Sequence, residues 1–245
     1  MKYIDMHAHY GRFPGIPLLR FGRDLYKSVN ERYGIGAMVL SSTRAIIHDM
    51  RGGNAELLAF IADDPDMYGY IVANPLDVEG SEREMRKYAG NKKFVGVKVH
   101  ETYSYTHISS ERMEKLFTML DGFRLPVKIH TESPEMLAPL AERHRELPII
   151  AAHIGVNSPD VLRRISKCAN IYVDFASSVP VDGAVERSVA ILGPEKVLFG
   201  SDMPIISPCS ALGMLMGADI DDSQRELILW KNSAKLFAIS PGGCQ

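Results

Sequence analysis

The sequence predicts an α/β fold in one domain spanning residues 1–245, a closed (β/α)8 TIM barrel. Three observations predict it. Eight short apolar runs alternate with amphipathic segments along the chain. Its 245 residues match the roughly 250 that eight strand–helix units need. Histidines and aspartates gather at the carboxyl ends of the runs, where parallel α/β domains place their sites. A doubly wound open sheet is the competing arrangement. It usually has fewer strands and often a glycine-rich phosphate turn, and neither GxGxxG nor GxxxxGK(S/T) occurs here.

The apolar runs cover 3–7, 37–41, 68–73, 94–100, 126–130, 148–153, 171–175 and 197–200. They are rich in Val, Ile, Leu and aromatics and mostly bounded by Gly, Pro, Ser or Asp, as strands buried on both faces are. The helical patterns between them carry start signals. Ser109 and Ser110 are alternative N-caps for a segment with Met113, Leu116, Phe117 and Leu120 at helical spacing. Ser133-Pro134-Glu135 opens another, with Pro at the first helical position. Asn157-Ser158-Pro159-Asp160 opens a third, 180–192 forms a fourth, and 223–237 is a long final helix with one break.

Composition narrows the function. Hydrophobic residues make up 46% and charged residues 24%, the balance of an ordinary soluble globular protein rather than a disordered or fibrous one. A chain this long buries about 70–75% of its unfolded surface and needs no metal to fold, so a bound metal would serve chemistry. With 28 basic and 30 acidic residues the net charge is −2. No long basic run appears, which argues against a nucleic-acid or membrane partner and for a small-molecule substrate. Cys168, Cys209 and Cys244 are widely spaced and form no CxxC pair, so they read as buried small hydrophobes in a reducing compartment. The start of the chain has no apolar signal core and no long apolar stretch follows, which makes the cytoplasm the expected location.

The polar residues at the run ends are His7 and His9 after the first, Lys98 and His100 in the fourth, His130 in the fifth, His153 in the sixth and Asp202 after the eighth. Residues two apart on a strand share a face, so His7 and His9 can hold one cation between them. Each residue alone has a plainer reading, as a satisfied strand-end histidine or, for Asp202, a turn former. Imidazole and carboxylate arriving from several separate strands together read as a site for one divalent metal, zinc foremost, with manganese, iron or cobalt as alternatives. His48 reads as solvated and His144 as part of a charged helix end. His107 lies in the 102–110 loop, within reach of a substrate, and Arg12 lies in the first run-end loop. By period-two alternation Lys98 and His100 share a face, and Lys128 points inward below His130, where it needs a carboxylate partner or a bulge.

These pieces, in this order, resemble the amidohydrolase superfamily, in its amidohydrolase-related branch. The matching segments are Ile4-Asp5-Met6-His7-Ala8-His9, Gly96-Val97-Lys98-Val99-His100, Pro126-Val127-Lys128-Ile129-His130-Thr131, Ile150-Ala151-Ala152-His153-Ile154-Gly155, Leu198-Phe199-Gly200-Ser201-Asp202-Met203-Pro204 and Asn232-Ser233-Ala234-Lys235-Leu236-Phe237. The branch includes aminocarboxymuconate semialdehyde decarboxylases together with lactone and ester hydrolases. The resemblance implies a metal-dependent barrel enzyme in which His7, His9, His130 and Asp202 are metal ligands. His153 would stand outside that set and activate water or polarise substrate. It also implies Lys98 or His100 as an anion contact, and a homodimer as the family expectation. Members with two metals carry a carboxylated lysine on strand four, and Lys98 is the candidate; one metal is the favoured reading.

The expected chemistry is hydrolysis of a small ester, lactone or amide by activated water, with His153 and Asp202 as catalytic residues. The alternative is non-oxidative decarboxylation of a small aromatic or unsaturated acid. A barrel that has lost catalysis and only binds is the third reading, and the intact ligand set argues against it. Specificity would lie in the loops 11–23, 43–53, 101–109 and 207–217. Phe13, Leu18, Leu19, Tyr103 and Tyr105 there suggest a partly apolar pocket or lid packing.

Overall fold

The computed structural model describes residues 2–17, 22–156, 158–177 and 181–241. Leu18, Leu19, Asn157, Pro180 and Cys244 lie outside the described residues. Eight parallel strands form one sheet in sequence order: β1 Tyr3–Tyr10, β2 Ile35–Ser42, β3 Met67–Val72, β4 Phe94–His100, β5 Val127–His130, β6 Ile149–Ala151, β7 Ile171–Asp174 and β8 Val197–Leu198. All eight apolar runs became strands, and helices fill the intervals between them. This is the (β/α)8 arrangement.

The seam between the first and last strands is built by main chain just beyond β8. Met6 N–H donates to the Phe199 carbonyl at 3.1 Å, and His9 N–H to that of Met203. In the other direction, Ser201 and Asp202 N–H both donate to the His7 carbonyl, at 3.2 and 2.6 Å. The seam therefore sets the segment carrying Asp202 directly against the segment carrying both strand-one histidines. Gly200 makes this approach feasible, because a Cβ there would stand 2.5 Å from Cβ of His7.

Side chains sort into two layers. Met38, Leu40, Val97, Val99, Val127, Ile129 and Val173 pack outward against the helices. Ile4, Met6, Ala37, Val39, Tyr70, Ile150 and Leu198 fill the interior, joined by Phe237 and Ile239 after the last helical stretch. Strand β1 breaks strict alternation. Ile4 and Met6 lie in the inner cluster, yet the register slips between Asp5 and Ala8, and Ala8 joins the outer layer. That bulge turns His7 and His9 to the inside directly above Met6, the kind of re-aiming bulges provide beside sites.

Helix starts follow local chemistry. Ser110 is the N-cap of Glu111–Asp121 and accepts from Met113 N–H. Pro159 opens Pro159–Ile165 behind Ser158. The fourth predicted helix begins later than expected, at Ala184. The final stretch is continuous, its break being a π-helical segment, Leu227–Lys231, between Asp222–Glu226 and Asn232–Phe237. One expectation is corrected. Cys168 is buried, but Cys209 is exposed, because it sits in the first turn of a surface helix, Pro208–Gly217. His144 ends the helix Leu137–Arg143 among charged groups, as expected, and is buried there, with Nδ1 2.8 Å from Asp121 and Nε2 3.4 Å from Glu114. No helix among the described residues is long and apolar enough to cross a membrane.

Candidate metal centre

At the carboxyl ends of the strands, His7, His9 and Asp202 bring one donor atom each within 4.8 Å of one another, and all three are buried. Nε2 of His7 lies 3.3 Å and Nε2 of His9 2.9 Å from the same Asp202 oxygen, Oδ1. The two imidazole rings are 5.5 Å apart, centre to centre.

The hydrogen bonds at the far side of each ring fix what the near side offers. His7 Nδ1 faces the Asp174 carboxylate at 2.8 Å, so it carries the proton and Nε2 is bare. Nε2 is buried without a hydrogen-bond partner. Ser41 donates its hydroxyl hydrogen to the Ala8 carbonyl, so its oxygen accepts from His9 Nδ1 at 3.1 Å, and Nε2 of His9 is bare too. Burial holds both rings neutral: it drives His7 well below the ordinary histidine value and His9 down to about 4. Burial alone would raise Asp202, but His9, His153 and Lys98 all face it and hold it near 2, as a carboxylate. Three lone-pair donors thus converge with no proton among them, in a buried place. Such a set is costly without a cation and fits a divalent metal, through two imidazoles and one carboxylate.

His130 stands nearby but outside this tight group. Its Nε2 lies 3.2 Å from Oε1 of Glu132, and its ring stacks on His100 at 4.2 Å. Burial lowers His130 to about 4 and pushes His100 far below the ordinary value. Nδ1 of His100 faces Tyr103 N–H at the start of the short helix Glu101–Ser104. His153 sits between His7 and His130, with ring centres at 4.8 and 5.0 Å. Its Nδ1 is bonded to the Ala176 carbonyl, which leaves Nε2 as the exchangeable position.

These residues line one cavity of about 260 Å³, shared with Phe13, Ile16, Lys98, Thr102, Tyr103, Glu132 and Ile205. Lys98 is only 1% exposed, and its ammonium has no hydrogen bond to the described residues. Burial lowers it to about 8, against the pull of Asp202 and Asp174. The aromatic lining is Phe13, packed edge-on to His9 at 5.1 Å, and Tyr103, whereas Tyr105 is 91% exposed.

Two sequence candidates do not line the cavity. His107 turns its ring nitrogens to Ser109 and Ser133, at 2.7 and 2.9 Å. Arg12 is exposed. Lys128 does point inward and has found a carboxylate: Nζ is 3.9 Å from Asp174 and donates to the Met6 carbonyl at 3.3 Å, beneath the ring of Tyr70. Sequence reasoning missed Asp174 itself, along with Ser41 and Glu132. Asp174 was legible in principle, as the one carboxylate of the seventh run, alternating with the outward Ile171 and Val173.

A parallel barrel with a histidine–histidine–aspartate cluster at the carboxyl ends of its strands defines a metal-dependent barrel enzyme. The chain belongs to the amidohydrolase family, whose model matches residues 4–239. No curated protein matches it. Among solved structures it is similar to 5-carboxyvanillate decarboxylase LigW from Sphingomonas paucimobilis, with 16% identity over 98% of this chain and 99% of that one and a TM-score of 0.81. It is also similar to a dihydroxybenzoic acid decarboxylase from Polaromonas with bound manganese and the inhibitor 2-nitroresorcinol, with 16% identity, 97% of both chains and a TM-score of 0.77. A Burkholderia multivorans amidohydrolase with bound zinc shares 13% identity over 98% of this chain and 100% of that one, with a TM-score of 0.77. At these identities the likeness carries the fold.

Proposed function

We propose that this protein is a metal-dependent decarboxylase of a small aromatic carboxylic acid. The observation that carries the proposal is Lys98, a buried ammonium without a hydrogen-bonding partner among the described residues, in the same small cavity as the His7, His9 and Asp202 donor set. An anionic substrate group would supply the hydrogen-bonding partner such a lysine lacks, and about 260 Å³ suits a single-ring acid. The decarboxylases of aromatic acids among the similar structures favour the same chemistry. This places decarboxylation ahead of the ester, lactone or amide hydrolysis that the sequence put first.

His7, His9 and Asp202 would hold the cation, and His130 would join them once its Nε2 leaves Glu132. Bound there, a divalent metal, zinc or manganese foremost, supplies Lewis-acid polarisation of substrate oxygens and stabilises negative charge spreading from the ring. The chain's own groups do the rest. Lys98 pairs with the substrate's anionic oxygens and orients the ring, while Phe13 and Tyr103 cover the ring and keep water out. His153 exchanges a proton at Nε2, its other nitrogen being tied to Ala176. The bond between the ring carbon and the carboxyl carbon breaks. Its electron pair remains on the ring carbon, which takes a proton that His153 has first picked up from solvent at Nε2, as carbon dioxide leaves and His153 returns to its neutral form. Hydrolysis is the second reading, favoured by the same bare Nε2 of His153, which can accept a proton from an attacking water.

The test offers metal-loaded protein matched panels of hydroxylated aromatic acids and of aryl esters and lactones. Carbon dioxide released one-for-one with the decarboxylated ring supports the proposal. Acid gain from the esters or lactones, with no carbon dioxide from any acid, overturns it in favour of hydrolysis.

A further inference from the structure

Asp174, at the end of β7, is fully buried beneath the donor cluster, and the proposed reaction steps give it no part. Both of its oxygens are engaged. Oδ2 receives the Nδ1 proton of His7 at 2.8 Å and faces Lys128 Nζ at 3.9 Å. Oδ1 receives two backbone protons, from His153 N–H at 2.9 Å and Ala176 N–H at 3.1 Å. His153 has a φ of 65°, the left-handed region a non-glycine residue adopts only when its surroundings insist. One side chain therefore grips the imidazole of His7 and the main chain that presents His153.

We propose that Asp174 is a positioning residue that holds His7 in its Nδ1–H tautomer, keeping Nε2 bare for a cation, and clamps the turn that aims His153 at the same cavity. The inference rests on the reading of His7, His9 and Asp202 as a cation site. Its logic is one of donors and acceptors. The two backbone N–H groups require an oxygen at the Oδ1 position. In Asp174→Asn the amide oxygen would take that place, and the amide NH2 would face His7 Nδ1. A donor there forces the imidazole proton onto Nε2, where it blocks coordination. A merely space-filling Asp174 would leave the tautomer untouched.

The experiment is a nitrogen-15 correlation spectrum of the histidine rings in metal-free protein, with His7 assigned by its loss in His7→Gln, alongside chelator competition for zinc. Wild type should show His7 protonated at Nδ1. Asp174→Asn should show the proton moved to Nε2 and zinc affinity about 10–100-fold weaker. A wild-type His7 protonated at Nε2 overturns the proposal, as does an Asp174→Asn protein with both tautomer and zinc affinity unchanged. If Asp174→Asn fails to fold, the wild-type spectrum still decides. If wild type binds no zinc, the cation reading falls, and the tautomer comparison still tests Asp174.

Discussion

Nε2 of His7 and Oδ1 of Asp202 stand 3.3 Å apart in the buried rim of the barrel, both lone-pair acceptors, with no proton between them. Two acceptors held this close repel, and the repulsion is a cost the metal-free fold carries for its site. Asp202→Asn should relieve it in metal-free protein, because the amide donates to either bare imidazole nitrogen. Asn also tolerates the left-handed backbone at this position, where φ is 64°. Urea denaturation of metal-free protein should show the variant equal to wild type or more stable by about 1 kcal/mol. A loss of 2 kcal/mol or more would instead make Asp202 a structural turn residue.

Lys98 gives the site a pH signature. Burial lowers it to about 8, so it is cationic below that pH and neutral above it. Affinity for a carboxylate competitor such as benzoate should hold through neutral pH and fall as pH rises through about 8. Lys98→Met should bind benzoate about 10–100-fold more weakly at pH 7, the worth of a charge-assisted hydrogen bond, and lose the pH dependence. Equal binding in the two proteins would remove Lys98 from the substrate site.

Lys128 and Asp174 form a buried pair at 3.9 Å, both at most 1% exposed. Deleting the cation leaves a buried carboxylate short of compensation. Lys128→Met should therefore destabilise the metal-free protein by about 3 kcal/mol, read as a shift in the urea midpoint. An unchanged midpoint would mean that the Asp174 hydrogen bonds alone carry its charge.

Gly200 tests the seam. A methyl group there meets Cβ of His7 at 2.5 Å, so Gly200→Ala must push β1 and the 199–203 segment apart. The expected result is a loss of about 1–3 kcal/mol from overpacking together with zinc affinity at least about tenfold weaker, by chelator competition, because His7 and Asp202 no longer close on one point. Unaltered zinc binding would show that the seam does not set the donor geometry.

How much of this was legible in the sequence varies from residue to residue. Periodicity and bounding residues located all eight strands, and the Ser110 cap and Pro159 start followed from local chemistry. The inward alternation of Lys98 with His100 and of Lys128 with His130 was readable because β4 and β5 run regularly there. The β1 bulge was not readable: strict alternation from His7 and His9 would have turned Ile4 and Met6 outward, and no glycine or proline marks the slip. The contacts that close the barrel were equally hidden, since the seam uses main-chain groups of residues 199–203, beyond the two residues of β8. Spacing also says nothing about which nitrogen of a histidine is bare. That depends on Ser41 and Asp174, partners 32 and 167 residues away in sequence.

The most direct test of the central claim is calorimetric titration of metal-free protein with zinc and with manganese, in wild type, His7→Ala and Asp202→Asn. A single divalent site built from His7, His9 and Asp202 predicts one ion bound per chain in wild type, with binding lost or weakened at least about 100-fold in both variants while their far-ultraviolet circular dichroism stays native. Failure of wild type to bind either ion, or binding left intact in both variants, would contradict it.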